Sequence, residues 1–85
     1  MLEPKQLVLS VAGRDKGQLL AVVKQDEKGV WLADGKRRPL DRPKCKNPRH
    51  IQPLEQSLDG KAMTTDRALR RALRQATDGL AENDA

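Results

Sequence analysis

Phenylalanine and tyrosine are missing from these 85 residues, and Trp31 is the single aromatic ring. The aromatic platforms on which RNA-recognition-motif and cold-shock domains stack unpaired bases are therefore not available. Trp31 itself, at an inward strand position, reads as core rather than as a stacking platform. One cysteine, Cys45, excludes an intramolecular disulfide. Cys45 and His50 lie five residues apart with no second Cys or His, too few ligands for a structural zinc site. With one histidine the chain offers no Ser/His/Asp set, and it has neither a phosphate-cradling glycine loop nor a paired-carboxylate constellation. No catalysis, metal or cofactor is expected. No apolar run is long enough to span a membrane and the N-terminus lacks an apolar signal core, so the expected location is cytoplasmic.

Eighty-five residues, 36% of them hydrophobic, make one small domain with a modest aliphatic core and leave no room for a deep catalytic pocket. Charge is what the chain has in quantity: 17 Lys and Arg against 12 Asp and Glu, a net +5. The segment Lys36 to Arg49 holds seven cations and one acid, Asp41, an excess of +6 in fourteen residues that exceeds the net charge of the whole chain. Such a local excess reads as a stripe facing a polyanion. The plain alternative is a solvated linker kept soluble by its charge.

The organising stretch is Ala12-Gly13-Arg14-Asp15-Lys16-Gly17, set between the apolar runs Leu7–Val11 and Leu19–Val23. Glycine accepts positive φ and lets the chain reverse, and cations on such a turn point outward, where they can meet phosphate. Asp15 could instead pair with Arg14 or Lys16 and merely fasten the hairpin. Period-2 alternation predicts strands over 6–12, 18–25 and 30–33, with Asp34-Gly35 as a two-residue hairpin and a fourth strand starting at Lys36-Arg37-Arg38 and cut short by Pro39. Prolines 39, 43 and 48 argue against helix in the basic stripe, which reads as an extended arm or long loop over residues 36–49. Arg49 to Leu54 regains alternation as a closing strand. Residues 55–63 read as a linker. Thr64-Thr65-Asp66 then caps an amphipathic helix over 64–80, with Leu69, Ala72, Leu73, Ala76 and Leu80 on one face, Arg67, Arg70, Arg71 and Arg74 on the polar faces and Gly79 as a stop. The tail 81–85 is acidic and reads as frayed.

The stretch Val8 to Gly35 resembles a KOW motif, the RNA-binding strand–turn–strand unit of ribosomal and transcription-elongation proteins. The match rests on Val8 and Val11 approaching the turn, on Gly13-Arg14-Asp15-Lys16-Gly17, and on the Val22-Val23 strand. Many KOW units carry a further glycine where this chain has Leu20. That departure moves it toward the branch found in archaeal and eukaryotic large-subunit ribosomal proteins and their small bacterial relatives. Leu32-Ala33-Asp34-Gly35-Lys36-Arg37-Arg38-Pro39-Leu40 and Arg49-His50-Ile51 follow the order of that branch. The resemblance covers about residues 5–54 and implies a small SH3-like β-barrel, mainly β, that binds RNA.

The expected partner is thus RNA, rRNA or another structured RNA, with ribosomal proteins beside it and no membrane, the protein itself being a monomer. The candidate contacts are Gly13, Arg14, Lys16 and Gly17 on the turn, then Lys36, Arg37, Arg38, Arg42, Lys44, Lys46, Arg49 and His50 along the stripe. Phosphate contacts of this kind position a protein on its target without reading sequence. The helix either packs on the barrel and shows its arginines to RNA or docks on a partner protein. A second function class, an adaptor whose barrel and basic arm hold an acidic protein, uses the same charges.

Overall fold

The computed structural model describes residues 2–83, with side chains as far as residue 79. Five antiparallel strands form one sheet: β1 Gln6–Ser10, β2 Leu19–Asp26, β3 Gly29–Ala33, β4 Lys44–Lys46 and β5 Ile51–Ser57. Their order is β4-β3-β2-β1-β5, so β4 and β5 are the two edges. A single 3-10 turn, Pro48–His50, passes the chain from one edge to the other, and a second, Gly60–Met63, leads into the helix α1, Asp66–Asn83.

The alternation in β1 to β3 sorts residues onto two buried faces. Val8, Leu20, Val22, Val30, Leu32 and Ile51 pack together on one. Leu7, Ala21 and Ala33 lie on the other and receive Leu69 and Leu73 of α1. Leu7 and Ala33 both stand opposite Ala21 in the ladder, so a row of mostly small side chains runs beneath the helix and allows it a close approach. Two register shifts, at Val22/Lys24 between β2 and β3 and at Gln6/Val8 between β1 and β5, bend the sheet.

One side chain shows how far it bends. β4 and β1 are three strand spacings apart in the order, about 14 Å in a flat sheet, yet the Lys46 ammonium donates to the Ser10 hydroxyl and, at 3.1 Å, to the Ala12 carbonyl. The sheet therefore curls until its β4 end approaches β1. The Val11 N–H donates to the His50 carbonyl at 2.9 Å, holding the 3-10 turn against the end of β1. Among the described residues no backbone ladder joins β4 to β5, so the sheet stays open between its edges.

The basic segment is not a continuous arm. The strand expected from Lys36 is absent because the Asp34 carboxylate accepts the backbone N–H groups of Lys36 and Arg38 at 2.8 and 2.9 Å, closing a tight turn. Pairing resumes only at Lys44, with Val30 opposite Lys46 and Leu32 opposite Lys44. The segment also contains helical geometry: Pro48 opens the 3-10 turn, where its missing N–H costs nothing, and the Asn47 side chain caps it. His50 belongs to that turn, and the following strand starts at Ile51 and reaches Ser57, inside the stretch expected to be linker. Pro53 is tolerated because β5 is an edge. Trp31 is half-buried rather than core; its neighbours Val30 and Leu32 take the inward positions.

Thr65 caps α1, its hydroxyl accepting the Ala68 N–H at 3.1 Å. The helix passes through Gly79 and continues to Asn83; the last two residues of the expected tail lie outside the described residues. Gly35 sets how closely the loop meets this helix. Its φ is +78°, and a Cβ there would collide with the Asp66 carbonyl oxygen and crowd the Arg70 backbone N–H. Gly35→Ala is therefore expected to destabilise the protein by about 2 kcal/mol or more, from left-handed strain and displacement of the helix together. Gly79→Ala has open space around it and is expected to stabilise by about 0.5–1 kcal/mol. Urea unfolding of the two variants measures both, and the opposite signs separate close packing from backbone entropy.

Candidate nucleic-acid interface

The turn between β1 and β2 is built from its glycines inward. Gly13 and Gly17 hold φ of +82° and +88°, and backbone bonds from Gly17 to Ser10 and from Gln18 to Asp15, 2.8 and 2.9 Å long, close the reversal. This geometry turns Asp15 in and its neighbours out: Asp15 is 4% exposed, while Arg14 and Lys16 are exposed. Asp15 pairs with neither of them. Its Oδ2 lies 3.7 Å from Lys46 Nζ and 3.7 Å from Arg38 Nη2, cations that arrive from β4 and from the 34–38 turn.

That arrangement divides the expected contact residues. Lys46, 9% exposed, has its ammonium among Ser10, Ala12 and Asp15. It is a structural strap and is not free to meet phosphate, which corrects its place in the expected set. Arg38 is half-buried against Asp15, and its Nε is buried with no partner among the described residues. The remaining cations, Arg14, Lys16, Lys36, Arg37, Arg42, Lys44 and Arg49, are exposed, as are His50, Gly13 and Gly17. None of those cations forms an ion pair with a described residue; the carboxylates that do pair are Asp15 and Asp26.

The helix presents the four arginines that its amphipathic period assigns to the polar faces. Arg67, Arg70, Arg71 and Arg74 are all exposed, while Leu69 and Leu73 are buried beneath the helix. Arg70, Arg71 and Arg74 share a groove with Lys36, Arg37 and the turn residues Gly17 and Gln18. The amphipathic period could place these arginines on the polar face, but nothing in the sequence said that this face borders the Asp34-Gly35 turn. Among the described residues no three His, Cys, Asp or Glu side chains converge as a metal site, and no helix is long and apolar enough to cross a membrane.

A separate polar cluster surrounds Trp31. Its indole N–H donates to Asp26 Oδ2 at 2.8 Å, and Lys24, opposite Trp31 in the ladder, sits 5.1 Å from the ring centroid. Desolvation pushes the Asp26 carboxyl up, but the Trp31 N–H, the backbone N–H groups of Lys28 and Gly29 and the Lys24 charge outweigh it and hold the pKa below the usual carboxylate value. These exposed contacts fix the β2–β3 hairpin and leave the ring flanked by protein groups.

The chain matches no protein-family model, and no curated protein matches it in sequence. Fold and surface define it as a small, mainly β domain, a curled five-stranded antiparallel sheet under one helix, whose exposed turn, loop and helix cations form no ion pair with a described residue, Lys24 beside Asp26 on β2 being paired.

Two measurements check this geometry. Asp15→Asn leaves the buried Lys46 ammonium without a counter-charge and is expected to cost roughly 3 kcal/mol in urea unfolding. Asp15→Asn combined with Lys46→Met removes both buried charges and recovers part of that loss; a single variant as stable as the parent would contradict the strap. Trp31 emission, the only aromatic signal, is expected to change as Asp26 takes up its proton, at a pH below the ordinary aspartate range. Because the folded state binds that proton more weakly than the unfolded chain, the contact's contribution is complete above the unfolded pKa and fades as pH falls through the lowered folded one. Asp26→Asn removes the titration.

Proposed function

We propose that this protein is a non-catalytic, KOW-type RNA-binding protein that works in the cytoplasm, on or near the ribosome, and holds structured RNA, rRNA foremost, by its phosphate backbone. The observation that carries this reading is the choice of partner made by Asp15. By pairing with Arg38 and Lys46 it leaves Arg14 and Lys16 exposed on a glycine-shaped turn without an acid of their own. A turn that only needed fastening could have closed its own ion pair. The strand–turn–strand unit of β1 and β2 supports the KOW resemblance, and the curl that brings β4 toward β1, with the Lys46 strap between them, supports an SH3-like reading.

Arginine and lysine on rigid turns recognise phosphate without reading bases. With Trp31 held by Asp26 and Lys24, recognition of folded RNA by backbone shape fits better than capture of a single strand by stacking. Ribosomal proteins would then be its neighbours, with the monomer as the binding unit.

Binding to structured rRNA fragments across a salt series tests the reading. The expected slope of log affinity on log salt is steeper than about −3, the release from four or more phosphate contacts at about 0.7–0.9 each; a slope near zero contradicts RNA binding. Arg14→Glu with Lys16→Glu is expected to weaken binding at least about tenfold with an unchanged unfolding midpoint. Under the alternative reading, an adaptor for an acidic protein, the same variant leaves pull-down of that partner intact. Co-sedimentation with ribosomal particles at low salt checks the ribosomal part on its own.

A further inference from the structure

The strongest concentration of cations from different parts of the chain is not along the 36–49 segment but across the groove between that segment and α1. One wall carries Arg70, Arg71 and Arg74 and the other Lys36 and Arg37; Gly17 and Gln18 stand at one end. The space between them is about 720 Å³, large enough for a dinucleotide-sized stretch of backbone. Asp34 is the single acid in the lining, and its Oδ1 already accepts the N–H groups of Lys36 and Arg38. The five cations form no ion pair with any described residue.

The walls are held at a set distance. Gly35 lies directly on the first turn of α1, where a side chain would clash with the Asp66 carbonyl, and the Asp66 carboxylate accepts the Leu40 N–H at 2.7 Å. Leu73, buried under the helix one residue before Arg74, anchors the same turn from below. The backbone of both walls is therefore preorganised, which leaves only the cationic side chains to be ordered when a ligand arrives.

We infer that this groove seats consecutive phosphates of one RNA strand, with Arg70 and Arg74 gripping from the helix and Lys36 and Arg37 from the loop. The inference rests on the RNA-binding reading above and assigns the main grip to α1 together with the loop instead of to the 36–49 segment alone. Arg70 and Arg74 are one helical turn apart, about 6 Å along the axis, a separation suited to neighbouring phosphates on a strand. Guanidinium groups bind such oxygens in pairs. The groove carries no aromatic side chain, so it takes the sugar–phosphate backbone and leaves bases unread.

The test uses the full chain and a short double-stranded RNA hairpin as probe. Two charge-matched variants are compared with the parent, Arg70→Gln with Arg74→Gln inside the groove and Lys44→Gln with Arg49→Gln outside it, each checked by circular dichroism and urea unfolding. The groove variant is expected to lose roughly tenfold or more in affinity. Its salt slope should become shallower by about 1.4–1.8, the share of two phosphate contacts, while the outside variant loses less. Equal losses from the two variants, or a larger loss from the outside one, overturn the groove while leaving RNA binding in place. A parent protein that ignores the hairpin but binds a poly-glutamate peptide overturns both readings in favour of an acidic protein partner.

Discussion

A carboxylate taken out of water needs positive charge brought to it, and Asp15 draws that charge from two distant parts of the chain. Lys46 comes from the far edge of the sheet and Arg38 from the turn beyond β3. For the lysine to arrive, the sheet must curl until β4 approaches β1. The curl, the inner cluster around Val8, Val22 and Leu32, and the presentation of the β1–β2 turn thus go together with one buried charge cluster. Buried pairs of this kind give little net stability, because desolvation offsets most of the attraction. What this one supplies is geometry, since Asp15 can face inward only if Arg14 and Lys16 face outward.

The other face of the sheet is governed by size rather than charge. Ala21 and Ala33 leave room for Leu69 and Leu73, so α1 lies close on the strands. Gly35 has to fit beneath the first helical turn. That close fit places helix arginines across from Lys36 and Arg37. A charged surface and a packed core meet here, because four of the exposed cations sit one residue from an anchor: Arg14 and Lys16 beside Asp15, Arg74 beside Leu73, and Arg37 beside Arg38.

Much of the architecture was legible along the chain. β1, β2 and β3 carry alternation strong enough to be read, and the Thr65 cap with the Leu69/Leu73 spacing announces α1. The basic segment was the least legible part. Seven cations and three prolines suggest an extended arm, but backbone N–H groups go to whatever acceptor lies nearest. For Lys36 and Arg38 that acceptor is the Asp34 side chain and not a neighbouring strand. Helix length was also misread at Gly79, because a glycine on a solvent-facing turn weakens a helix without ending it.

The sequence by itself determined which stretches alternate, where the chain can reverse, which face of the helix is apolar, and that positive charge is in excess. Local spacing and residue chemistry suffice for each of these. Only the tertiary structure decided which cations are available: Lys46 is withdrawn inside, Arg38 is half-committed, and Arg70 and Arg74 join Lys36 and Arg37 across a groove. The reason is physical. Whether a charge is free depends on which opposite charge comes within a few ångströms of it, and residues 15, 38 and 46 meet only once the sheet has curled.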